Sequence, residues 1–196
     1  GLRLLWLTAP SSQRPSPREV KRRLRELSSR YRGEQVIAMR TLPIPHAYRA
    51  FYRQIGLDPD TTRIPSEAVA VDRLMHGGFR SRNLIDDACL IALIETGVAV
   101  WALDAARLDP GGLVLRPTAA GDRLGSGEYA GELPPGRLAV ADSSCVHALL
   151  FEPVAPEHRV GRHTEHVALF AVGVDGVPGI HLEEALWIAV EVLRSG

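Results

Sequence analysis

The sequence predicts an α+β domain, with helices packed on a mostly antiparallel sheet. Three observations carry this. Apolar residues recur with a helical period through the first half of the chain and again at its end. Between residues 98 and 174 they come instead in short runs separated by Gly/Pro turns. Apolar residues make up 45% and charged residues 23% of the 196, which excludes a disordered or fibrous chain and fits one domain of ordinary size, residues 1–196.

The elements follow in order. "LRLLWL" (2–7) reads as a buried strand and "SSQRPSP" as a loop. Ser16-Pro17-Arg18-Glu19 has the form of a capping box with proline at the first helical position. The helix it opens runs to about Arg30–Arg32, with Val20, Leu24, Leu27 and Tyr31 on one face and Gly33 as its expected C-cap. "QVIAM" (35–39) reads as the next strand and "HAYRAFYRQIG" (46–56) as a short helix. Ser66 is the expected cap of "EAVAVDRLMH", which Gly77-Gly78 stops. Asn83 or Ser81 caps "LIDDACLIALIET", which Gly97 stops. Then come strands at 98–103, 113–116, 137–142, 146–152 and 167–174, and a closing amphipathic helix from about Ile180 to Leu193.

Charge is balanced overall but not along the chain. Residues 1–83 carry 16 Lys/Arg against 7 Asp/Glu, and residues 84–196 carry 7 against 16. The outer face of the first helix holds Arg18, Lys21, Arg22, Arg25 and Arg32, which suits phosphate contacts as well as it suits a solvated face. Cys89 and Cys145 sit in apolar contexts and read as reduced core residues of a cytoplasmic protein. No apolar run is long enough for a membrane span, and the basic-then-apolar start reads as a strand rather than a signal peptide.

No serine-nucleophile elbow, P-loop, dinucleotide fingerprint or HExxH motif is present. His158, His163 and His166 fall close together, but Arg159 and Arg162 would repel a cation there, so the expectation is a polar loop, with no metal and no cofactor. Cys145 and His147 share a strand face and could meet as nucleophile and base, although a strand start after Asp142 explains the segment equally well. The stretch "GGFRSRNLIDDACL" (77–90) differs in kind. It crowds Arg80 and Arg82 at the mouth of a helix, where free backbone N–H groups favour an anion or a carbonyl oxygen. Because the two arginines alternate, one is expected to point inward, Arg80, with Asp86 or Asp87 as an internal partner or a ligand in that place.

The order of these segments resembles a known family. "GFRSRNLIDDACLIALIETGVAVWALDAARL", then "GLVLRPTAAGDRL", "ELPPGRLAVAD" and "HTEHVALF", is similar to the B3/B4 domain, the editing domain of the phenylalanyl-tRNA synthetase beta subunit. "YRAFYRQIGLDPDTTRIPSEAVAVDRLMHGG" resembles its free-standing members. The likeness covers roughly residues 45–175. It implies a B3/B4 fold, binding of the aminoacylated 3′ end of a tRNA, and hydrolysis of a mischarged ester, with no membrane and no DNA expected. Alternatives are a non-catalytic binding module of the same fold, or a hydrolase of free amino-acid derivatives. By position, Arg80 matches the arginine of the family's Gly-Ile-Arg-Ser motif. Ser81, Asn83 and Asp87 would line the pocket with it. Trp101 stands where the synthetases have a histidine, and Glu157 corresponds to a glutamate that senses a tyrosine hydroxyl. Cys89 and Leu90 stand where the family has a Thr-Asn pair.

Overall fold

The computed structural model describes residues 1–31, 33–128 and 130–195, and of Gln35 the backbone alone. It is an α+β structure with two small three-stranded antiparallel sheets, ordered β1-β6-β2 and β3-β4-β5. The chain divides into two compact units, each assembled from distant segments. The first comprises residues 1–5, 14–100 and 171–196, and the second comprises residues 6–13 and 101–170.

The helices belong to the first unit. They are α1 (Arg18–Arg30), α2 (Gly33–Ala38), α3 (Pro43–Gln54), α4 (Pro65–His76), α5 (Leu84–Thr96) and α6 (Gly179–Arg194). α5 is mostly apolar, with Asp86 and Glu95 on its exposed side, and it packs against both α6 and α1. Leu84, Ile91 and Ala92 are fully buried on α5, as are Leu182 and Ala185 on α6 and Leu24 on α1. That burial, rather than helix propensity, accounts for most of the stability of these helices.

Both ends of α5 follow the sequence reading. Asn83 accepts hydrogen bonds from the amides of Ile85 and Asp86, and Gly97 closes the helix in the left-handed region at φ 77°. Gly77 closes α4 in the same way at φ 74°. Nη1 of buried Arg49 on α3 donates to both carboxylate oxygens of buried Glu67 on α4, at 2.9 and 3.0 Å, which ties the two helices together.

Four local expectations are overturned. "QVIAM" is not a strand. α2 and a 3₁₀ turn at Met39–Thr41 occupy it, with Met39 buried and Ile37 75% exposed. A short apolar run without alternation is ambiguous between helix and strand, and a helix satisfies its backbone without needing a neighbour. Gly33 opens α2 and does not cap α1, whose C-cap is Tyr31. Ser16 does not cap α1 either. Pro17 holds that position without a side-chain bond, and the Ser16 hydroxyl donates to Asp87. Ser66 lies inside α4, which starts at Pro65 after Ile64. Its hydroxyl is buried without a hydrogen-bond partner among the described residues.

One strand lies at the start of the chain, as expected, and the others follow the change of period. They are β1 (Arg3–Pro10), β2 (Val100–Asp104), β3 (Val114–Pro117), β4 (Leu138–Ala141), β5 (Val146–Leu149) and β6 (His166–Gly173). In the second unit β4 pairs antiparallel with β3 and with β5, and a register shift at Val140/Ala141 interrupts the second pairing. Ala139, Ala141, Val146 and Leu149 form a small apolar core there, with Leu124 and Leu133 packed on it. Among the described residues no helix is long and apolar enough to cross a membrane.

Candidate functional site

Two polar clusters gather residue types that do chemistry, each within one unit. The first is the start of α5. Asn83 has extended backbone, with φ −148° and ψ 170°. Its Oδ1 takes the amides of Ile85 and Asp86 at 3.1 and 2.9 Å. Its Nδ2 donates to Asp86 Oδ2 at 2.9 Å. Asp87, 1% exposed, accepts from the Ser16 hydroxyl at 2.6 Å, from the Ser81 hydroxyl at 2.5 Å and from the Arg82 amide at 2.9 Å.

Three expectations are corrected here. The amides at this helix start are not free to hold an anion, because Asn83 occupies them. The buried carboxylate is not paired with an arginine, because two hydroxyls and an amide already satisfy it through short charge-assisted bonds. Arg80 does not point into the interior. Arg80 and Arg82 are both exposed, and both line a cavity of about 400 Å³ with Phe79, Asp86, Asp87 and Leu90. Among the described residues neither arginine forms an ion pair. The structure therefore gathers Arg80, Ser81, Asn83 and Asp87 as expected, with cations at the rim and Ser81 and Asn83 committed to internal bonds.

On α1, Arg18, Arg22 and Arg25 are exposed and Lys21 is half-buried. Arg32 lies outside the described residues. Arg22 pairs loosely with Glu26 at 3.8 Å, and Arg23, which the sequence did not single out, is held more tightly. Arg23 forks onto Glu95 of α5 at 2.9 and 2.7 Å and approaches Glu191 of α6 at 3.6 Å. Glu95 raises its pKa further, although partial burial opposes the shift. A cavity of about 660 Å³ opens there, with Arg22, Arg23 and Arg30 facing Glu19, Glu95 and Glu191. Glutamates outnumber arginines in its lining and Arg23 is already paired, which makes it a poor phosphate site.

The second cluster lies in the second unit and was not legible as a whole. Asp142, 3% exposed, directly follows β4. Its Oδ1 accepts from the Ser144 hydroxyl and amide at 2.6 and 2.8 Å and from the Cys145 amide at 3.1 Å. Its Oδ2 accepts from the Asp109 amide at 2.9 Å and from His147 Nε2 at 2.8 Å. Burial pushes this carboxyl up, but the donors, led by the Ser144 hydroxyl, outweigh it and hold the group far below the usual carboxylate range. His147 Nδ1 lies 2.7 Å from His158 Nδ1, and His158 Nε2 lies 2.7 Å from the Ser126 hydroxyl. His147 and His158 are 0% and 1% exposed, whereas Ser126 is exposed. A chain of four side chains thus runs from a buried carboxylate to solvent. Burial is the main cause that lowers the His158 pKa, and His147 adds to it, so His158 favours its neutral form.

His163 and His166 are exposed and take no part. The histidine that joins His158 is His147, on the strand that follows Cys145. The sulfur of Cys145 and ring nitrogens of His147 and His158 lie within 4.8 Å of one another. Cys145-x-His147 was a usable signal. Nothing in the sequence singled out His158 from its two neighbours as their partner.

Trp101 and Glu157 also belong to the second unit. Trp101 is half-buried, stacked on Phe170 at 5.6 Å and 16° and tilted against Phe151 at 5.9 Å. The indole serves there as an aromatic packing surface. Glu157 Oε1 accepts from the Gly127 amide at 2.9 Å. The amides of Glu157 itself and of Gly127 hold its carboxyl below the usual range. Gly125, at φ 86°, gives it room, because a Cβ there would sit 2.2 Å from Glu157 Oε1. The chain matches no model of a known protein family and no curated protein.

Proposed function

We propose that this chain is a B3/B4-type domain that binds the aminoacylated 3′ end of a tRNA and hydrolyses the ester of a mischarged amino acid. The observation that carries the reading is the cavity at Arg80. It joins two cations, neither in an ion pair among the described residues, to an apolar wall of Phe79 and Leu90 and to the exposed carboxylates of Asp72 and Asp86. Guanidinium groups suit a phosphate of the terminal nucleotides, and the apolar wall suits a base or an amino-acid side chain. A carboxylate at the wall suits the ammonium of an aminoacyl group. The collinear motifs over roughly residues 45–175 favour the same reading. Arg18, Lys21, Arg22 and Arg25 would hold the acceptor stem through its backbone. Ester hydrolysis needs a positioned water and a gripped substrate, and the terminal ribose hydroxyls can assist, so this reading requires no serine or cysteine nucleophile.

A deacylation assay over a panel of mischarged tRNAs tests this. Release of amino acid above the buffer blank, reduced at least tenfold in Arg80→Ala and weakened by salt, is the expected result. No release across the panel, by wild type and Arg80→Ala alike, overturns the enzyme reading. One observation favours a second reading, a binding module without turnover. Trp101, stacked on Phe170, stands at the position of the family's histidine and cannot act as a general base. Retention of charged tRNA with no release would select it.

A further inference from the structure

We propose that Cys145, His147 and His158 form a binding site for one divalent cation of the zinc class. The inference rests only on the second unit and is independent of any RNA substrate. The three side chains offer one sulfur and two imidazole nitrogens, all within 4.8 Å of one another. That is a borderline-soft donor set, which suits zinc and its neighbours rather than magnesium or calcium.

The outer contacts orient the ligands. Asp142 is an acceptor only, so His147 Nε2 carries the proton of their 2.8 Å bond, and its Nδ1 lone pair is turned toward His158. His158 is held on its far side by Ser126, which puts its own Nδ1 opposite, 2.7 Å away. A carboxylate or hydroxyl on the outer ring nitrogen is the usual support of a metal-bound histidine. The two nitrogens would need to separate by only about 0.6 Å to reach the spacing of two imidazoles on one tetrahedral zinc.

Without metal, one proton must bridge the two nitrogens. With His158 neutral, that proton sits on its Nδ1, and its Nε2 accepts the Ser126 hydroxyl. Binding moves the His158 proton to Nε2, from which it donates to Ser126 Oγ, and the exposed hydroxyl turns to solvent. The Cys145 thiol loses its proton to solvent as the sulfur–metal bond forms.

Electrostatics separates this site from a serine hydrolase. Ser126 and its histidine resemble a nucleophile and base, but Glu157 accepts the Gly127 amide next to Ser126 and lies against Gly125. A carboxylate there would repel the oxyanion that a serine nucleophile must create, and it occupies an amide that could have stabilised that oxyanion. The same carboxylate and Asp142 favour a cation. Arg107, whose charge acts on His158, opposes it in part. Three protein ligands leave a fourth position for water or a substrate atom.

The test uses the full chain, purified without an affinity tag, stripped of metal by dialysis against chelator and titrated with Zn²⁺ against a chromogenic competitor. The expected stoichiometry is about one ion per chain. Cys145→Ser, at a half-buried position that tolerates a near-isosteric change, should weaken binding at least tenfold, as should His158→Gln. A Co²⁺-loaded wild type should show a sulfur-to-metal charge-transfer band that Cys145→Ser lacks. If His158→Gln fails to fold, Cys145→Ser and the Co²⁺ band still decide the question. Absence of stoichiometric binding, or binding unchanged in Cys145→Ser with no sulfur band, overturns the proposal. So does stoichiometric labelling of Ser126 by a fluorophosphonate in the metal-stripped protein, which would mark a serine nucleophile instead.

Discussion

Asp87 and Asp142 are both buried carboxylates, 1% and 3% exposed, and both collect short bonds from serine hydroxyls and backbone amides. They differ in one kind of partner. Every donor to Asp87 is a hydroxyl or an amide, so its cluster closes on itself and orders the loop entering α5. Asp142 has a fifth donor, His147, and through it the network continues to His158 and out to Ser126. A carboxylate with saturated, non-titrating donors is a structural clamp. A carboxylate that orients an imidazole can pass its influence to a ligand or a proton.

The comparison can be broken by removing each carboxylate. Asp142→Ala should cost about 3–5 kcal/mol, read by urea unfolding, because it strands buried donors including an imidazole. Asp87→Ala should cost less, about 1–3 kcal/mol, because its hydroxyl donors can turn elsewhere. A larger loss from Asp87→Ala than from Asp142→Ala would break the distinction. Gly125→Ala should destabilise by about 1–2 kcal/mol from the left-handed backbone alone. It should also displace Glu157, seen as a shift of the Gly127 amide resonance. The same substitution at exposed Gly77, which meets nothing within 4 Å, should show only the backbone effect.

Asn83→Ala should cost about 1 kcal/mol by thermal or urea unfolding and leave Zn²⁺ binding unchanged, since its role is confined to the α5 cap. The smallest effect should come from acid titration of a third carboxylate. The Arg116 guanidinium, with the Ala119 amide, brings the Asp122 carboxyl down to about 2. A depressed folded-state pKa stabilises above the unfolded value of about 4, and that contribution is lost as pH falls through about 2. Wild type should therefore lose more stability between about pH 4 and pH 2 than Asp122→Asn does, measured by the urea midpoint.

Much of this was legible where local chemistry and tertiary packing agree. Asn83 and Gly97 bound α5 because an amide cap and a left-handed glycine are chemically suited to those places in almost any context. The change of period after Gly97 placed all five later strands. The misreadings fall where a residue had two local options and packing chose between them. Ser16 could cap α1 or bond Asp87, and the fold places it where its hydroxyl donates to that buried carboxylate. "QVIAM" could pair as a strand or close on itself as a helix, and it became a helix. Arg80 was correctly placed at the α5 entry, but the saturation of Asp87 by Ser16, 71 residues away, was not readable.

By itself, the sequence determined the α+β class, the helix boundaries set by Asn83, Gly77 and Gly97, and the basic face of α1. Those features depend on neighbours within a turn or two of the chain. Only the tertiary structure decided that His158 meets His147 rather than His163 or His166, that Ser126 faces His158, and that Asp142 anchors them. Those contacts join segments 5 to 32 residues apart, through loops whose paths no local periodicity encodes.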